Sequence, residues 1–281
     1  MIRELGLKDK RSVVTPGIKV VVNEDEDTHL DPSSATRFRQ LIARCNFVAQ
    51  DRPDVQYAVK EAAKGMSSPK RSDWEKLVRI GQYLKGKPRY VHRYVVQKDV
   101  CSINAFGDSD FAGDTTTRKS TSGGLVCLGD HMVKSWSSSQ SIIALSTGEA
   151  ELYALNKASA TAIGLKSLLK DLGVDLDIKV FTDATTGKAI ATRRGLGKVR
   201  HIAVNELWIQ ERVQVGDLKI IKIKNKYNPA DLMTKHLSQA EIVQILEHLN
   251  HVHAEGRSDN APELALVRGE DEDEERQRQG N

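Results

Sequence analysis

The hydrophobic period of this chain changes once, near Tyr90, and that change divides it into two kinds of structure. Before it, apolar residues recur at helical spacing: Phe38, Leu41, Ile42, Cys45 and Val48, then Val55, Ala58, Val59 and Ala62, then Trp74, Leu77, Val78, Gly81 and Leu84. Pro53 and the SSPKRSD stretch separate the stripes, and GKP at 86–88 closes the last. The pattern predicts a small helical unit over 34–89. After it, RYVVQ, SINAFGD, GGLVCLG and MVKSWSS read as strands broken by Gly and Asp turns. A long helix follows. Ser146 and Glu149 open it as an S-x-x-E capping box, Leu152, Leu155, Ala158, Ala162, Leu165, Leu169 and Leu172 carry its apolar face, and Gly173 ends it. Next come the strand IKVFTD, a short helix near TTGKAIATRR, a helix from about Arg200 to Gln214, the strand LKIIKIK and a helix opened by Asn228 and Pro229. Strands in a run, then alternating with helices, specify an α/β fold with a mixed sheet covered by helices over 90–250.

Residues 1–33 carry an acidic NEDEDTHLD stretch and no sustained period, which predicts a poorly ordered leader with one short strand at IKVVV. The segment 251–281 is charge-rich and predicts a disordered tail. The net charge is +4, but nine acidic residues against four arginines from Glu255 onward leave residues 1–254 at about +9. Such a body can attract a polyanion, and a solvated basic surface without a partner accounts for the same charge. Cys45, Cys101 and Cys127 lie far apart without C-x-x-C spacing, which argues against a disulfide framework or a zinc site and predicts reduced core thiols. The start lacks an apolar signal region, and no run of about 18 apolar residues occurs. The expectation is a soluble, intracellular protein with no membrane partner.

Four acidic residues stand at element ends: Asp108 after SINAFG, Glu151 near the start of the long helix, Asp183 after IKVFT, and Asp231 in YNPAD. At about 100° per residue, Glu151 falls at the centre of the face defined by Leu155, Ala162 and Leu169, while Glu149 lies roughly 160° away. A carboxylate aimed inward is costly to bury unless it binds a metal or is hydrogen-bonded. Singly, Asp108 and Asp183 also fit turn-forming roles, and Asp231 fits a helix N-terminus behind Asn228 and Pro229. Asp110 and Asp114 compete with Asp108, which is preferred because it directly ends the strand. Together the four suggest a site for two divalent metal ions.

The order GDSDFAGD, RKSTSGG, WSSSQSIIALSTGEAELYAL, FTDAT, RHI, NPADLMTK resembles the ribonuclease H domain of copia-type retrotransposon Pol polyproteins. Upstream, RPDVQYAVKEAAKGMSSP and WEKLVRIGQYLKG resemble the helical segment that joins reverse transcriptase to ribonuclease H in those polyproteins. The likeness runs from about residue 36 to 237. It implies a five-stranded ribonuclease H-like mixed sheet behind a remnant of the reverse transcriptase thumb or connection. It also implies Asp108, Glu151, Asp183 and Asp231 as catalytic residues and ligands of two Mg²⁺ ions, with Mn²⁺ as the alternative. The activity implied is hydrolysis of the RNA strand of an RNA–DNA hybrid, leaving a 3′-hydroxyl and a 5′-phosphate. Arg118, Lys119 and the hydroxyls of Ser120, Thr121 and Ser122 are candidates for nucleic-acid backbone contacts, and an ordinary polar turn accounts for them equally well. No YxDD motif occurs, so polymerase activity is not expected, and the missing reverse transcriptase part is a second expected partner. Many cellular ribonucleases H carry a His in the loop before the last acid. Here that loop reads KNKYNPAD, which gives no such residue. Two other readings stay open: an inactive nucleic-acid-binding module from a decayed element, and a structural connection domain.

Overall fold

The computed structural model describes residues 1–19, 26–197 and 201–256. Three helices form the first unit: α1 (Pro32–Val48), α2 (Pro53–Ala63) and α3 (Arg71–Gly86). Asp31 caps α1 by accepting from the Ser33 and Ser34 amides, and Pro32 and Pro53 sit at first helical positions, where the missing N–H costs nothing. Phe38, Leu41, Ile42, Val55, Val59, Leu77, Ile80 and Tyr83 close their core. In α3 the buried face holds Ile80 and Tyr83, with Trp74 and Leu84 only partly buried. A second element covers the helix beside them. Leu7 is 2% exposed and lies against Gly81, and Lys85 Nζ donates to the Lys8 and Lys10 carbonyls. The leader is therefore partly docked, because isolated apolar residues such as Leu5 and Leu7 find a groove although they form no period. The rest of the expected IKVVV strand, from residue 20, lies outside the described residues, and Ile18 and Lys19 are not in a strand.

The expected strand RYVVQ, residues 93–97, is not in a strand. The four residues before it form β1 (Arg89–His92), which pairs antiparallel with β7 (His251–Ala254) in a separate two-stranded sheet. Residues 251–254, expected to be tail, are thus ordered. Their tie to the helical unit is a buried polar knot. Arg52 donates to both oxygens of Asp54 at 2.9 and 2.8 Å, Tyr83 Oη donates to Asp54 at 2.8 Å, and His253 Nε2 lies 3.0 Å away. The remaining tail from residue 257 lies outside the described residues.

The main sheet contains β2 (Ser102–Asp110), β3 (Thr121–Leu128), β4 (His131–Ser139), β5 (Asp177–Thr182) and β6 (Lys219–Lys222), in the order β4-β3-β2-β5-β6. The first three form an antiparallel meander, and β5 and β6 add in parallel through helical crossovers. This is the ribonuclease H-like mixed sheet. Alternation along the strands builds two cores. Ile103, Ala105 and Val126 face Leu152, Leu155, Ala158 and Ala162 of α4 (Thr147–Asp171), joined by residues following α5 (Thr185–Thr192). Leu125, Cys127 and Met132 face the 3₁₀ turn Pro229–Met233 and α7 (Gln239–His248). The helix expected from Arg200 begins as a 3₁₀ turn at Val204–Leu207 and continues as α6 (Trp208–Gln214); residues 198–200 lie outside the described residues. Cys45 and Cys127 are buried thiols, but Cys101 is exposed, contrary to expectation, because it precedes β2. Among the described residues no helix is long and apolar enough to cross a membrane.

Candidate active site

Three elements deliver three carboxylates to one point. Asp108 lies in β2, Glu151 in the second turn of α4, and Asp183 immediately after β5, and ligand oxygens of the three fall within 4.8 Å of one another. Parallel pairing of β2 with β5 runs to Phe106 and Phe181, which sets Asp108 and Asp183, each two residues further on, side by side. Glu151 points at the sheet, as its helical phase requires, and Gly187 lets α5 approach it closely, since a Cβ there would stand 2.9 Å from the Glu151 Cβ. Ser109 Oγ donates to Glu151 Oε1 at 2.9 Å, while Glu151 Oε2 is buried without a protein partner.

The local detail differs from expectation in three respects. The strand does not stop at Asp108 but continues to Asp110. Asp110 and Asp114 nonetheless fall outside the cluster: Asp114 accepts from the Thr116 and Thr117 amides and pairs with Lys64 of the helical unit, and Lys60, Glu61 and Lys64 face Asp110. The capping box is half formed. Ser146 accepts from the Glu149 amide, but the Glu149 carboxylate reaches the Leu145 amide, Tyr153 Oη and His201 Nε2, which bury it. Of the residues assigned to nucleic-acid contact, only Arg118 and Lys119 are left at the surface. Ser120 Oγ accepts from the Ala112 amide, Thr121 Oγ1 from Lys60 Nζ and Ser122 Oγ from Gln140 Nε2, and all three are buried. Alternation along β3 turns Thr121 toward Lys60 of α2 and Ser122 toward Gln140, whose amide also donates to the Ala150 carbonyl of α4.

Asp231 adjoins the three through the 3₁₀ turn capped by Asn228. Its partners were not legible as functional residues. Lys235 Nζ lies 2.9 Å from Asp231 Oδ1 and 4.0 Å from Asp108 Oδ2, and Thr234 Oγ1 donates to Asp108 Oδ2. Asn225, its amide nitrogen turned to the acids as two facing carboxylates require, lies 2.9 Å from Asp183 Oδ2 and 3.2 Å from Asp231 Oδ2. The spacing of Asp231 and Lys235 is a signal that the sequence offered. Asn225, in the loop that lacks a His, gave none.

Gly123 explains part of the STSGG motif. It pairs with Asp108 across the hairpin, and a Cβ there would lie 2.6 Å from the Met233 Cβ and 2.5 Å from the Thr234 Cγ2. Gly123→Ala is expected to push the turn carrying Asp231 and Thr234 off the sheet, destabilising the chain by about 1–3 kcal/mol and cutting turnover by about 10- to 100-fold. Urea unfolding and single-turnover kinetics check the two effects separately.

Burial, reinforced by the Asp108 charge, pushes the Glu151 carboxyl up to about 8, and burial likewise raises Asp108 and Asp231 above the usual carboxylate range. A raised folded-state value means that the native protein holds a proton that the unfolded chain has released. For Glu151, metal-free stability should therefore decline as pH rises from about 4.5 to about 8. Divalent ions bind the ionised form, so the rise in melting temperature on adding Mg²⁺ is expected to be larger at pH 8.5 than at pH 5.5. Differential scanning calorimetry at both pH values checks this; an equal or smaller rise at the higher pH contradicts it. The donors are all carboxylate oxygens, and Glu151 Oε2 and Asp231 Oδ1 are buried without a hydrogen-bond partner, a set that fits Mg²⁺ or Mn²⁺ rather than a thiophilic metal.

No protein-family model matches the chain. Among curated proteins, the retrovirus-related Pol polyprotein from transposon RE2 of Arabidopsis thaliana is 32% identical over 209 residues, covering 73% of this chain and 14% of the relative. The corresponding polyprotein from transposon TNT 1-94 of Nicotiana tabacum is 31% identical over 186 residues, covering 66% of this chain and 14% of its own length. The chain thus spans about one seventh of these relatives. Among solved structures, a ribonuclease H1 from Halobacterium salinarum NRC-1 aligns over 47% of this chain and 94% of its own, at 19% identity and a TM-score of 0.35. The fold assignment stands on the strand order and pairing.

Proposed function

We propose, for a chain that belongs to the Pol polyproteins of copia-type retrotransposons and carries a ribonuclease H-like fold, that it is a metal-dependent endonuclease cutting the RNA strand of RNA–DNA hybrids. The observation that carries this reading is the convergence of Asp108, Glu151 and Asp183 from three separate elements, with an open oxygen on Glu151. Asp231 completes a quartet that would hold two Mg²⁺ ions, or Mn²⁺. When bound, two such ions supply an activated water and charge stabilisation at the departing 3′-oxygen. The chain's own residues prepare that site. Ser109 fixes one oxygen of Glu151 and leaves the other open, Thr234 orients Asp108, and Asn225 sets Asp183 and Asp231 relative to each other. Arg118 and Lys119 contact backbone phosphates, aided by the positive charge of residues 1–254. Residues 34–89 are the end of the reverse transcriptase connection, docked through α2 onto β4 and the Pro229–Met233 turn, where Tyr57 meets His236 edge-on at 4.9 Å.

Substrate discrimination tests this function. End-labelled RNA–DNA hybrid, double-stranded RNA, double-stranded DNA and single-stranded RNA are incubated with the chain and Mg²⁺. Only the RNA of the hybrid should be cut, with 5′-phosphate and 3′-hydroxyl products, because recognition needs the 2′-hydroxyl on one strand. Cleavage of double-stranded DNA at a similar rate contradicts the substrate class, and hybrid binding without any cleavage supports an inactive binding module instead.

A further inference from the structure

The four carboxylates are not equivalent. Asp108, Glu151 and Asp183 form a group whose oxygens face one another, and Glu151 Oε2 has no protein partner. Asp231 lies outside that triad, with Oδ1 ion-paired to Lys235 Nζ at 2.9 Å though without a hydrogen bond, and Oδ2 facing the Asn225 amide at 3.2 Å. Lys235 also reaches toward Asp108, 4.0 Å from the same oxygen that Thr234 holds. Among the described residues it is the cation that pairs with the side chains of the quartet, and its side chain is 43% exposed, so it is free to swing away.

An ammonium and a divalent ion cannot share the space between two carboxylates without strong repulsion, which the low local dielectric magnifies. We infer that Lys235 is the resident counter-charge of this cluster, closing the Asp108–Asp231 side to a divalent ion until the ion displaces its ammonium. This rests on the metal-dependent reading above and adds an order of binding. The first ion enters at Asp108, Glu151 and Asp183, where among the described residues no ion pair engages the Glu151 or Asp183 carboxylate and Lys235 stands only at 4.0 Å from Asp108. The second binds more weakly, because its site is already neutralised. The flexible stem of Lys235 lets the displaced charge move out to solvent or to a phosphate, so the second position is regulated by one side chain.

Titration calorimetry with Mn²⁺, without nucleic acid, tests the inference on the wild-type chain, Lys235→Gln and Lys235→Arg. The wild type should show one tighter and one weaker event. Lys235→Gln should tighten the weaker event by at least tenfold and leave the tighter one within about twofold, whereas Lys235→Arg, which keeps the charge, should behave like the wild type. A parallel melting curve for Lys235→Gln in metal-free buffer should show a folded chain of lower melting temperature, since the carboxylates lose their counter-charge. Unchanged or weakened binding of the second ion in Lys235→Gln overturns the inference while leaving the nuclease reading in place. The same holds if Lys235→Gln does not fold and Lys235→Arg tightens the second event. Absence of any Mn²⁺ binding to the wild type overturns both.

Discussion

Asp108→Asn is expected to lower Mg²⁺-dependent cleavage of hybrid RNA by about three powers of ten, on the order of 4 kcal/mol of transition-state stabilisation. The substitution keeps the side chain's size, and Thr234 can still donate to the remaining oxygen. What disappears is a buried negative charge that lies within 4.8 Å of the ligand oxygens of Glu151 and Asp183. Because burial holds Asp108 above the usual carboxylate range, the neutral amide removes a cost in the metal-free protein. The variant should therefore melt no lower than the wild type at pH 8 without metal, and should lose most of the stabilisation by Mg²⁺. Hybrid binding in chelator should persist. A variant that retains more than about a tenth of wild-type turnover, a change under about 1.4 kcal/mol, removes Asp108 from the site.

Asp54→Ala is expected to have the largest effect on folding, about 3–5 kcal/mol, because it leaves the Arg52 guanidinium buried without its counter-ion. Burial alone would raise the Asp54 carboxyl, but bonds from Arg52, His253 and Tyr83 outweigh it and hold the group at about 2. With an ordinary value of 3.8, its contribution is fully present above that pH and is lost as pH falls toward 2. Tyr83→Phe removes one hydrogen bond from the same knot and should cost only about 1 kcal/mol. Urea unfolding at neutral pH separates the two variants. A loss below about 1 kcal/mol for Asp54→Ala would mean that the knot does not hold β7 to the helical unit.

The sheet and its main helices were legible because period-two and period-3.6 patterns record which face is buried, and α4 shows this best. Helical phase alone placed Glu151 toward the sheet and Asp108. The same phase argument could not foresee that Glu149 would also be buried, since its partners Tyr153 and His201 come from the next turn and from a loop fifty residues on. Long-range pairing was equally hidden. RYVVQ reads as one more strand of the main sheet, but the strand that forms is the preceding RYVH, whose partner is HVHA at 251–254, and four-residue strands carry too little pattern to choose a partner. Ser120, Thr121 and Ser122 read as exposed turn hydroxyls because the sequence does not record their distant partners, the Ala112 amide, Lys60 of α2 and Gln140 respectively. At the site, Asn225 and Lys235 went unassigned for a related reason. Their roles depend on the distance between two carboxylates that meet only in the folded chain.

Single-turnover cleavage of end-labelled RNA in an RNA–DNA hybrid, followed across a Mg²⁺ titration and in excess chelator, bears most directly on the claim that these carboxylates form a two-metal hydrolytic site. Cleavage should be absent in chelator, should return with Mg²⁺, and should rise with an apparent order above one as the second ion binds. Undiminished cleavage in chelator, or no cleavage by folded, hybrid-bound protein at any Mg²⁺ concentration, contradicts it.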